Sequence, residues 1–511
     1  MMALVRRGCA LGVIVAMSVL VGATPADVLA HVRAWRADHE KAILRELFDL
    51  LKIPNVATNQ ADIARNALAL KAMFERRQFT SDLIQTNGSP VVVAERRVPG
   101  TRRTLTFYFH YDGQPVDPTE WIYEPPFSPV IVVPHEPAGR TISLDTWQGA
   151  IDPTWRIYGR SSSDDKSPIV ALLAAVDGLD ASGDGLTSTI RVVLEGDEEA
   201  GSPSLESVVR AHGDRLRGDA LIMVDGPRHA SDRPTLFFGA RGIMNAVVTV
   251  YGPVRDLHSG NYGNWAPNPA LALAKLLASM KDDSGRVTID GFYDDVVPLT
   301  AAEQQALDEI PDVQPTLMKT FGFSQVENPD ERLERRHNLP TLNINALEAG
   351  GGVGGQGRTV IPASASARLD LRLVKAVDLG KQFGRLVAHV QKQGFFVVDR
   401  APDAAMRAAH PWMATVARIG GYPAGRTAID SPLATAISKA LGDAAGGPIV
   451  RLPTIGGSAP FYVFTDILRV PTFGLSIVNF DNNQHGPNEN VRIRNIWDGL
   501  DSMAALLTLP N

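Results

Sequence analysis

Apolar positions along the chain repeat with two periods, which together predict an α/β protein. Residues 27–52, 168–176 and 204–215 carry their apolar residues at helical spacing. Three short apolar runs between or beside them have the length of buried strands: Thr104–Phe109, Ile190–Leu194 and Ala220–Val224. Strands that alternate with helices predict a mostly parallel sheet that helices cover on both faces.

The pattern changes near Gly239. A strand at 243–251 is followed by a loop rich in glycine, asparagine and proline, by charged helix-forming sequence over 301–336, and by an alternating strand at 365–374. The α/β alternation returns from about residue 400. We therefore predict a separate α+β unit inserted into the first domain, with the division 24–239 (first domain, first part), 240–398 (inserted unit) and 399–511 (first domain, second part).

The N-terminus has the layout of a secretory signal peptide. Arg6 and Arg7 precede an apolar run at 10–21, and small residues end at Ala23. This pattern predicts a cleaved signal over residues 1–23 and export to the periplasm or the medium, and an uncleaved membrane anchor is the alternative. Because no other segment has about 18 consecutive apolar residues, we expect no stable membrane span after cleavage.

The amino-acid composition limits the partners and the metal ligands that this protein can have. The 511 residues are 44% hydrophobic and 21% charged, which is typical of a globular protein. The net charge is −6 and there is no basic run, so nucleic acid is not an expected partner. Cys9 is the only cysteine, which excludes an intramolecular disulfide and a CxxC zinc site. Any metal must therefore be held by histidine, aspartate and glutamate.

Candidate metal ligands stand at the ends of the predicted strands. Ligands in open α/β sheets bind outside the carboxyl ends of the strands, so residues there should converge. A single aspartate at a strand end is usually a helix cap, and paired glutamates are usually solvated. Five segments supply candidate residues. Three stand at strand ends: His110 with Asp112, Glu198 with Glu199, and Asp225. Asp164 with Asp165 lies in the loop before a helix, and His485 follows the strand at 472–478.

Five motifs carry a resemblance to a known family. They are His110-Tyr-Asp-Gly-Gln-Pro115, Tyr158-Gly-Arg with Asp164-Asp-Lys166, Glu195-Gly-Asp-Glu-Glu199, Asp256-Leu-His-Ser-Gly260 and His485-Gly-Pro-Asn-Glu489. Together they resemble the dinuclear zinc metallopeptidases that include carnosine dipeptidases, bacterial dipeptidases, glutamate carboxypeptidase and the aminoacylases. Their order and spacing fit the dipeptidase branch best.

The resemblance implies a zinc-peptidase catalytic domain and a site for two divalent metal ions. Asp164 would bridge the ions, with His110 and Asp225 completing one site and Glu199 and His485 the other. Zn²⁺ is the expected metal, and Mn²⁺ or Co²⁺ would also suit these ligands. The resemblance further implies Glu198 as the general base, Asp112 as the residue that orients the site, and a cis bond between Asp164 and Asp165.

The same resemblance implies that the inserted unit, residues 240–398, is a lid, and that residues 24–239 and 399–511 form the catalytic domain. The lid would form a homodimer, and His258 would reach the partner subunit's active site and stabilise the oxyanion. Arg372 would grip the substrate carboxylate, and Gly457 and Ser458 would line the substrate pocket. The chain departs from the family at Ser161 and Ser167, where glycine is usual, which puts the shape of that loop in question.

These observations predict an exported metal-dependent dipeptidase that hydrolyses short peptides with a free C-terminal carboxylate. An N-acyl-amino-acid amidohydrolase of the same family is the alternative. A metal-bound protein without catalysis is a third reading, and the presence of every ligand and of the base argues against it.

Three further features are expected to be structural. The glycine-rich stretch 350–357 lacks the lysine and serine or threonine of a phosphate loop and is interpreted as a flexible turn of the lid. We expect His229 and His337 to be surface or loop histidines. The charge run 330–336 predicts a solvated helix face.

Overall fold

The computed structural model describes residues 24–134, 139–350 and 358–510. The predicted signal peptide and residues 351–357 of the glycine-rich stretch lie outside this range. In the described residues, no helix is both long and apolar enough to cross a membrane.

The strands form one large mixed sheet, a second sheet in the lid and two smaller ones. In chain order they are β1 Thr80–Ile84, β2 Val91–Arg96, β3 Arg103–His110, β4 Val130–Val133, β5 Arg140–Ile142, β6 Arg156–Tyr158, β7 Ser188–Glu195, β8 Ala220–Val224, β9 Thr235–Phe237, β10 Gly239–Tyr251, β11 Leu257–His258, β12 Thr341–Ala349, β13 Val360–Ile361, β14 Ser364–Leu373, β15 Phe396–Val398, β16 Met413–Tyr422, β17 Gly425–Arg426, β18 Val450–Leu452, β19 Ile455–Ser458, β20 Thr472–Ser476 and β21 Asn490–Arg492.

The helices alternate with the strands of the large sheet and recur in the lid. They are α1 Pro25–Leu51, α2 Gln60–Glu75, α3 Lys166–Ser182, α4 Leu205–Leu216, α5 Ser259–Tyr262, α6 Pro269–Ala278, α7 Ala301–Asp308, α8 Gln314–Phe321, α9 Leu333–Arg336, α10 Leu379–Lys392, α11 Ala404–Ala409, α12 Pro432–Ala445 and α13 Ile493–Leu507. The predicted helical stretch 301–336 is three separate helices, because Pro311 follows α7 and Gly322 ends α8 in a left-handed conformation.

The large sheet confirms the predicted α/β fold class. Its order is β1-β2-β7-β3-β8-β20-β9-β18, and its central strands β7, β3, β8 and β20 are parallel. Successive residues of β3 enter different cores: Phe107 and Phe109 pack towards α1, α3 and α13, whereas Tyr108 packs towards α4. The central strands are therefore buried on both faces, and their carboxyl ends meet at one edge.

The lid has a second, largely antiparallel sheet in the order β12-β14-β10-β16-β15. Apolar residues of α6 and α10 cover one face of it. The 13-residue strand β10 connects the two parts of the molecule, because its first residues pair with β17 and β19 before it enters the lid sheet.

Strand β16 lies beyond residue 398, where the sequence places the end of the lid, yet it pairs with β10 along most of its length. The predicted boundary therefore leaves out one strand of the lid sheet. The reason is that an alternating pattern predicts a half-exposed strand without indicating which sheet the strand joins.

A small four-stranded sheet in the order β21-β6-β4-β5 positions two loops of the candidate site. Strand β21 pairs antiparallel with β6, with Asn490 opposite Tyr158. This pairing brings the loop that ends at Glu489 beside the loop that begins at Gly159. The first loop carries His485, and the second carries Asp164.

Candidate metal centre

The parallel strands bring the predicted strand-end residues to one edge of the sheet. His110 is the last residue of β3 and lies opposite Glu195 at the end of β7. Asp225 directly follows β8, which pairs with β3 on its other side. Tyr111 donates its backbone N–H to the carbonyl of Glu195 at 2.8 Å, so the two chain segments stay together beyond their strands.

Asp164 lies between two groups of ligand atoms. Its Oδ1 is 2.7 Å from His110 Nε2, and its Oδ2 is 3.2 Å from His485 Nε2. His485 Nε2 is also 3.3 Å from Glu199 Oε2. Two clusters of three residues result, His110–Asp164–Asp225 and Asp164–Glu199–His485, and the ligand atoms of each lie within 4.8 Å of one another.

The donors in these clusters fit divalent metal ions. They are imidazole nitrogens and carboxylate oxygens, which suit Zn²⁺, Mn²⁺ and Co²⁺. Asp164 is shared by both clusters and presents one oxygen to each, as a bridging carboxylate must. His110 Nδ1 is buried without a hydrogen-bond partner and lies 3.4 Å from Asp112 Oδ1. A proton on Nδ1 directed at Asp112 would leave the lone pair of Nε2, on the side of Asp164, as the metal donor.

Crowding of acidic groups raises several pKa values at the centre. Burial and the nearby Asp164 carboxylate raise the pKa of Glu199 to about 7. Burial also holds the pKa of Glu198 well above its usual range, and Asp225 and Glu199 act in the same direction. The hydrogen bond to Asp164 raises the pKa of His485 to about 9. Excess negative charge of this kind is what bound cations neutralise.

Asp112 holds the two glutamates in place. Its Oδ1 accepts the backbone N–H of Glu198 at 3.2 Å, and its Oδ2 accepts that of Glu199 at 3.0 Å. Glu199 also accepts a bond from Gln114 Nε2 at 2.7 Å and takes part in a metal cluster. Glu198 belongs to neither cluster, although it lines the cavity beside them.

The predicted substrate residues share that cavity with the metal clusters. The cavity has a volume of about 580 Å³, and its wall includes Asp164, Glu198, Arg372, Gly457 and Ser458. Arg372 Nη1 donates to Ser458 Oγ at 2.7 Å, and its Nε donates to Asp370 Oδ1 at 3.1 Å. Two hydrogen bonds therefore hold the guanidinium in one orientation in the wall of the cavity.

His258 is not brought to this cavity by its own chain. It lies at the start of α5, where its Nδ1 accepts the backbone N–H groups of Gly260 and Asn261 at 3.1 and 3.3 Å. Its side chain is exposed, and it is absent from the described wall of the cavity.

Glu489 is a buried residue of the site that the sequence motif contained without an assigned role. Its carboxylate accepts bonds from Arg160 Nη1, from the backbone N–H groups of Ser161, Ser163 and Asp164, and from Ser163 Oγ, all between 2.8 and 3.0 Å. It therefore fixes the loop that presents Asp164. The sequence signal that could have identified Glu489 as a site residue is its position four residues after His485.

Replacing Glu489 with glutamine is expected to lower both stability and metal affinity. The amide nitrogen cannot accept the bonds that the carboxylate accepts, and Arg160 is left buried without its ionic partner. Breaking a buried pair in this way costs about 3–5 kcal/mol, and loss of a residue that supports a ligand lowers metal affinity about 10–100-fold. Denaturant unfolding and metal titration measure the two effects. The control is Glu124→Gln at an exposed position, and equal metal affinity of the two variants would contradict the role.

The serines that replace the expected glycines are accommodated locally. Ser161 has a left-handed backbone with φ of 61°, which is the conformation that glycine adopts most easily. Its hydroxyl accepts a bond from Asn55 Nδ2 at 2.8 Å, and the same amide donates to the carbonyl of Tyr111 at 2.7 Å. Ser167 lies in the buried first turn of α3. The loop keeps the predicted cis bond between Asp164 and Asp165.

His229 and His337 lie in loops, as predicted, but both are packed against other segments of the chain and His229 has an acidic partner. His229 Nε2 lies 3.1 Å from Oε1 of Glu334, which is only 4% exposed. A side-chain carbon built on Gly456 would lie 2.7 Å from His337 Nε2, so this ring packs directly against the substrate loop. The predicted solvated face of 330–336 is therefore wrong at Glu334. These contacts join segments more than 100 residues apart, which local patterns do not encode.

His337 predicts an acid-sensitive contribution to stability. Burial and the Arg241 guanidinium lower its pKa from 6.5 to about 4. Below pH 6.5 the unfolded chain binds this proton more readily than the folded one, so the free energy of unfolding falls as the pH falls towards 4. Between pH 7 and pH 5 the loss due to His337 is about 2 kcal/mol. The free energy of unfolding measured in urea should depend less on pH in His337→Gln than in the wild-type protein. An equal pH dependence would contradict this role of His337.

The match to a known protein family covers most of the chain. The model of peptidase family M20/M25/M40 matches residues 106–509. The chain belongs to this family. As an M20 peptidase it is a hydrolase, which confirms the predicted family and the predicted enzyme class, and the two clusters form its possible dinuclear metal site.

Individual relatives agree with the family assignment. The M20 peptidase is 28% identical to a Cys-Gly metallodipeptidase of Schizosaccharomyces pombe over 310 residues, which are 59% of this chain and 60% of that protein. It is 27% identical to the Beta-Ala-His dipeptidase of Homo sapiens over 431 residues, or 81% and 76% of the two chains. The crystal structure of an M20 family metallo-carboxypeptidase from Sulfolobus solfataricus matches with a TM-score of 0.75 and 30% identity, covering 91% and 98%.

Proposed function

We propose that the protein is a dinuclear metal-dependent dipeptidase that hydrolyses short peptides with a free C-terminal carboxylate. The observation that carries this proposal is one cavity whose wall contains residues of both metal clusters together with Arg372 and Ser458, which are hydrogen-bonded to each other. A substrate carboxylate bound by Arg372 would then share the cavity with the metal clusters. The relatives named as a Cys-Gly metallodipeptidase and as a Beta-Ala-His dipeptidase support the same activity.

The proposed metal ligands are His110, Asp164, Glu199, Asp225 and His485. Zn²⁺ is the proposed metal because the set combines imidazoles with carboxylates, and Mn²⁺ or Co²⁺ are the other candidates. Two such ions would polarise the scissile carbonyl and lower the pKa of an attacking water.

Glu198 acts as the general base and acid in this mechanism. It lines the cavity without belonging to either cluster, so its carboxylate remains available for proton transfer. It takes a proton from the attacking water and returns it to the leaving amine, which departs poorly unless it is protonated. Asp112 is a positioning residue, because it binds the backbone of Glu198 and faces His110.

We further propose that the protein acts as a homodimer in which His258 stabilises the oxyanion in the partner's site. Two observations support this arrangement. His258 is exposed and lies away from its own cavity, and β12 is an edge strand of the described lid sheet with Ile344 and Leu347 exposed. An exposed edge strand of this kind is a surface on which a second copy can pair.

The variant His258→Ala is expected to lose about a hundredfold in kcat, because one oxyanion donor is removed. Mixing it with Glu198→Gln tests the origin of the histidine. A mixed dimer contains one site with an intact Glu198 and a partner that still supplies His258, so activity should return on mixing. Mixtures that stay as inactive as their components would contradict action across the dimer.

Export is proposed from residues 1–23 alone. The positive residues, the apolar run and the small residues up to Ala23 support a cleaved signal peptide. N-terminal sequencing of protein recovered from the periplasm or medium should give a chain that starts near Thr24. Protein that retains Met1 and stays in the cytoplasm would contradict this proposal.

A second candidate is a carboxypeptidase or N-acyl-amino-acid amidohydrolase that uses the same metal site. The 30% identity to an M20 family metallo-carboxypeptidase favours it. A substrate panel separates the candidates: dipeptides, longer peptides with the same C-terminal residues, and N-acetyl amino acids. The dipeptidase proposal predicts the highest kcat/KM for the dipeptides, and a higher value for either other series would contradict it.

A further inference from the structure

The helix α8 presents an uncovered apolar face to the active-site cavity. Val313, Leu317 and Phe321 are spaced four residues apart, so they lie on one side of the helix, and all three line the cavity. Leu333, at the start of α9, lines it beside them. Phe321 is 66% exposed and Leu333 is 42% exposed, so the face is uncovered at these two residues, whereas Val313 is only 8% exposed and the Phe321 ring contacts Phe323 on one side.

The segment that carries this face is firmly anchored. Arg332 Nη2 donates to the carbonyls of Ile310 and Pro311 at 2.9 and 3.0 Å, which closes the segment around α8. Glu334 is held by His229, which follows the metal-cluster residue Asp225 by four positions. His337 packs against Gly456 of the substrate loop. The chain on both sides of α8, at residues 310–311 and 332–337, is thus held by these contacts.

The apolar face of α8 belongs to the same cavity as the metal clusters, so a bound substrate is the molecule that would cover it. The same cavity wall contains Asp164 and Asp225 of the metal clusters and Arg372 of the carboxylate site. A peptide that spans Arg372 and the clusters fills the middle of the cavity, and its side chains must meet the remaining wall. Substrate sites combine a largely apolar wall with a few polar groups that fix orientation, and this cavity has that composition.

We propose that Val313, Leu317, Phe321 and Leu333 form a subsite for a large apolar side chain of the substrate. The preferred substrates are then short peptides that contain a residue such as leucine or phenylalanine. This inference rests on the proposed dipeptidase function and names the substrate class of that same site. Leu317 and Phe321 are the residues that determine specificity.

The test compares two peptide series on the metal-loaded protein, Xaa-Gly and Gly-Xaa, with Xaa as leucine, phenylalanine, alanine, glycine or glutamate. We expect leucine and phenylalanine to give at least about a tenfold higher kcat/KM than glycine in one or both series. In Leu317→Ser and Phe321→Ser this ratio should fall about tenfold, mainly through KM. The control is Lys319→Ala, on the exposed side of the same helix, in which the ratio should persist.

Several outcomes would overturn the subsite. Equal kcat/KM across both series would do so, as would variants that keep the wild-type ratio. A change of oligomeric mass in Leu317→Ser with an unchanged ratio would instead make this face an interface between copies of the chain. If no dipeptide is hydrolysed, the dipeptidase proposal falls, and calorimetric binding of Gly-Leu against Gly-Gly still decides the subsite: tighter binding of Gly-Leu supports it, and equal binding overturns it.

Discussion

The variant Glu198→Gln is expected to lose roughly 10²–10⁴-fold in kcat while it still binds two metal ions. Glutamine has nearly the same shape as glutamate and cannot take up a proton from the attacking water. Glu198 is absent from both clusters, so metal binding should persist. Peptide hydrolysis assays and metal analysis of the purified variant measure the two quantities.

The neighbouring variant Glu199→Gln is the matched control for this prediction. It has the same chemical change one residue away, but Glu199 belongs to the cluster with Asp164 and His485. We expect it to lose metal from that cluster and activity together. If Glu198→Gln hydrolyses peptides at the wild-type rate, Glu198 is not the base.

The variant Asp164→Asn is expected to weaken both metal sites and to abolish hydrolysis. Asp164 is the one residue that the two clusters share, with one oxygen towards His110 and the other towards His485. An asparagine has one carbonyl oxygen and no charge, so it cannot bridge two cations. Loss of a supporting contact alone costs 10–100-fold in affinity, and we therefore expect more than about a hundredfold for each ion.

The contrasting variant for Asp164 is Asp225→Asn, which removes a ligand from one cluster only. Each variant is first stripped of metal with a chelator and then titrated with metal ions by isothermal titration calorimetry. Both metal-binding events should be weaker in Asp164→Asn, and only one should be weaker in Asp225→Asn. Retention of one site at wild-type affinity in Asp164→Asn would contradict a bridging role.

The part of the site that lies at strand ends was accessible from the sequence. His110 and Asp225 each follow a short apolar run, and parallel neighbours bring such ends together without further information. His110 and Asp225 lie in one cluster in the structure, as that reasoning predicts. The loop residues Asp164 and His485 depended on the family resemblance, because their position follows from the pairing of β6 with β21.

The residues that support the site could not be predicted from the sequence in the same way. Arg160 and Glu489 are separated by 329 residues, and His229 and Glu334 by 105, so no local period connects them. Their ionisable side chains also predict surface positions by composition. Such side chains are buried only where the folded chain supplies a charged or polar partner. The long-range topology of the chain determines which residue that partner is.

The most direct test of a dinuclear peptidase centre starts from protein whose metal a chelator has removed. This protein is titrated with Zn²⁺, and the rate of hydrolysis of a leucine-containing dipeptide is measured at each step. We predict no hydrolysis without metal and a rate that saturates at two ions per chain. Hydrolysis by the metal-free protein, or full activity at a single ion per chain, would contradict it.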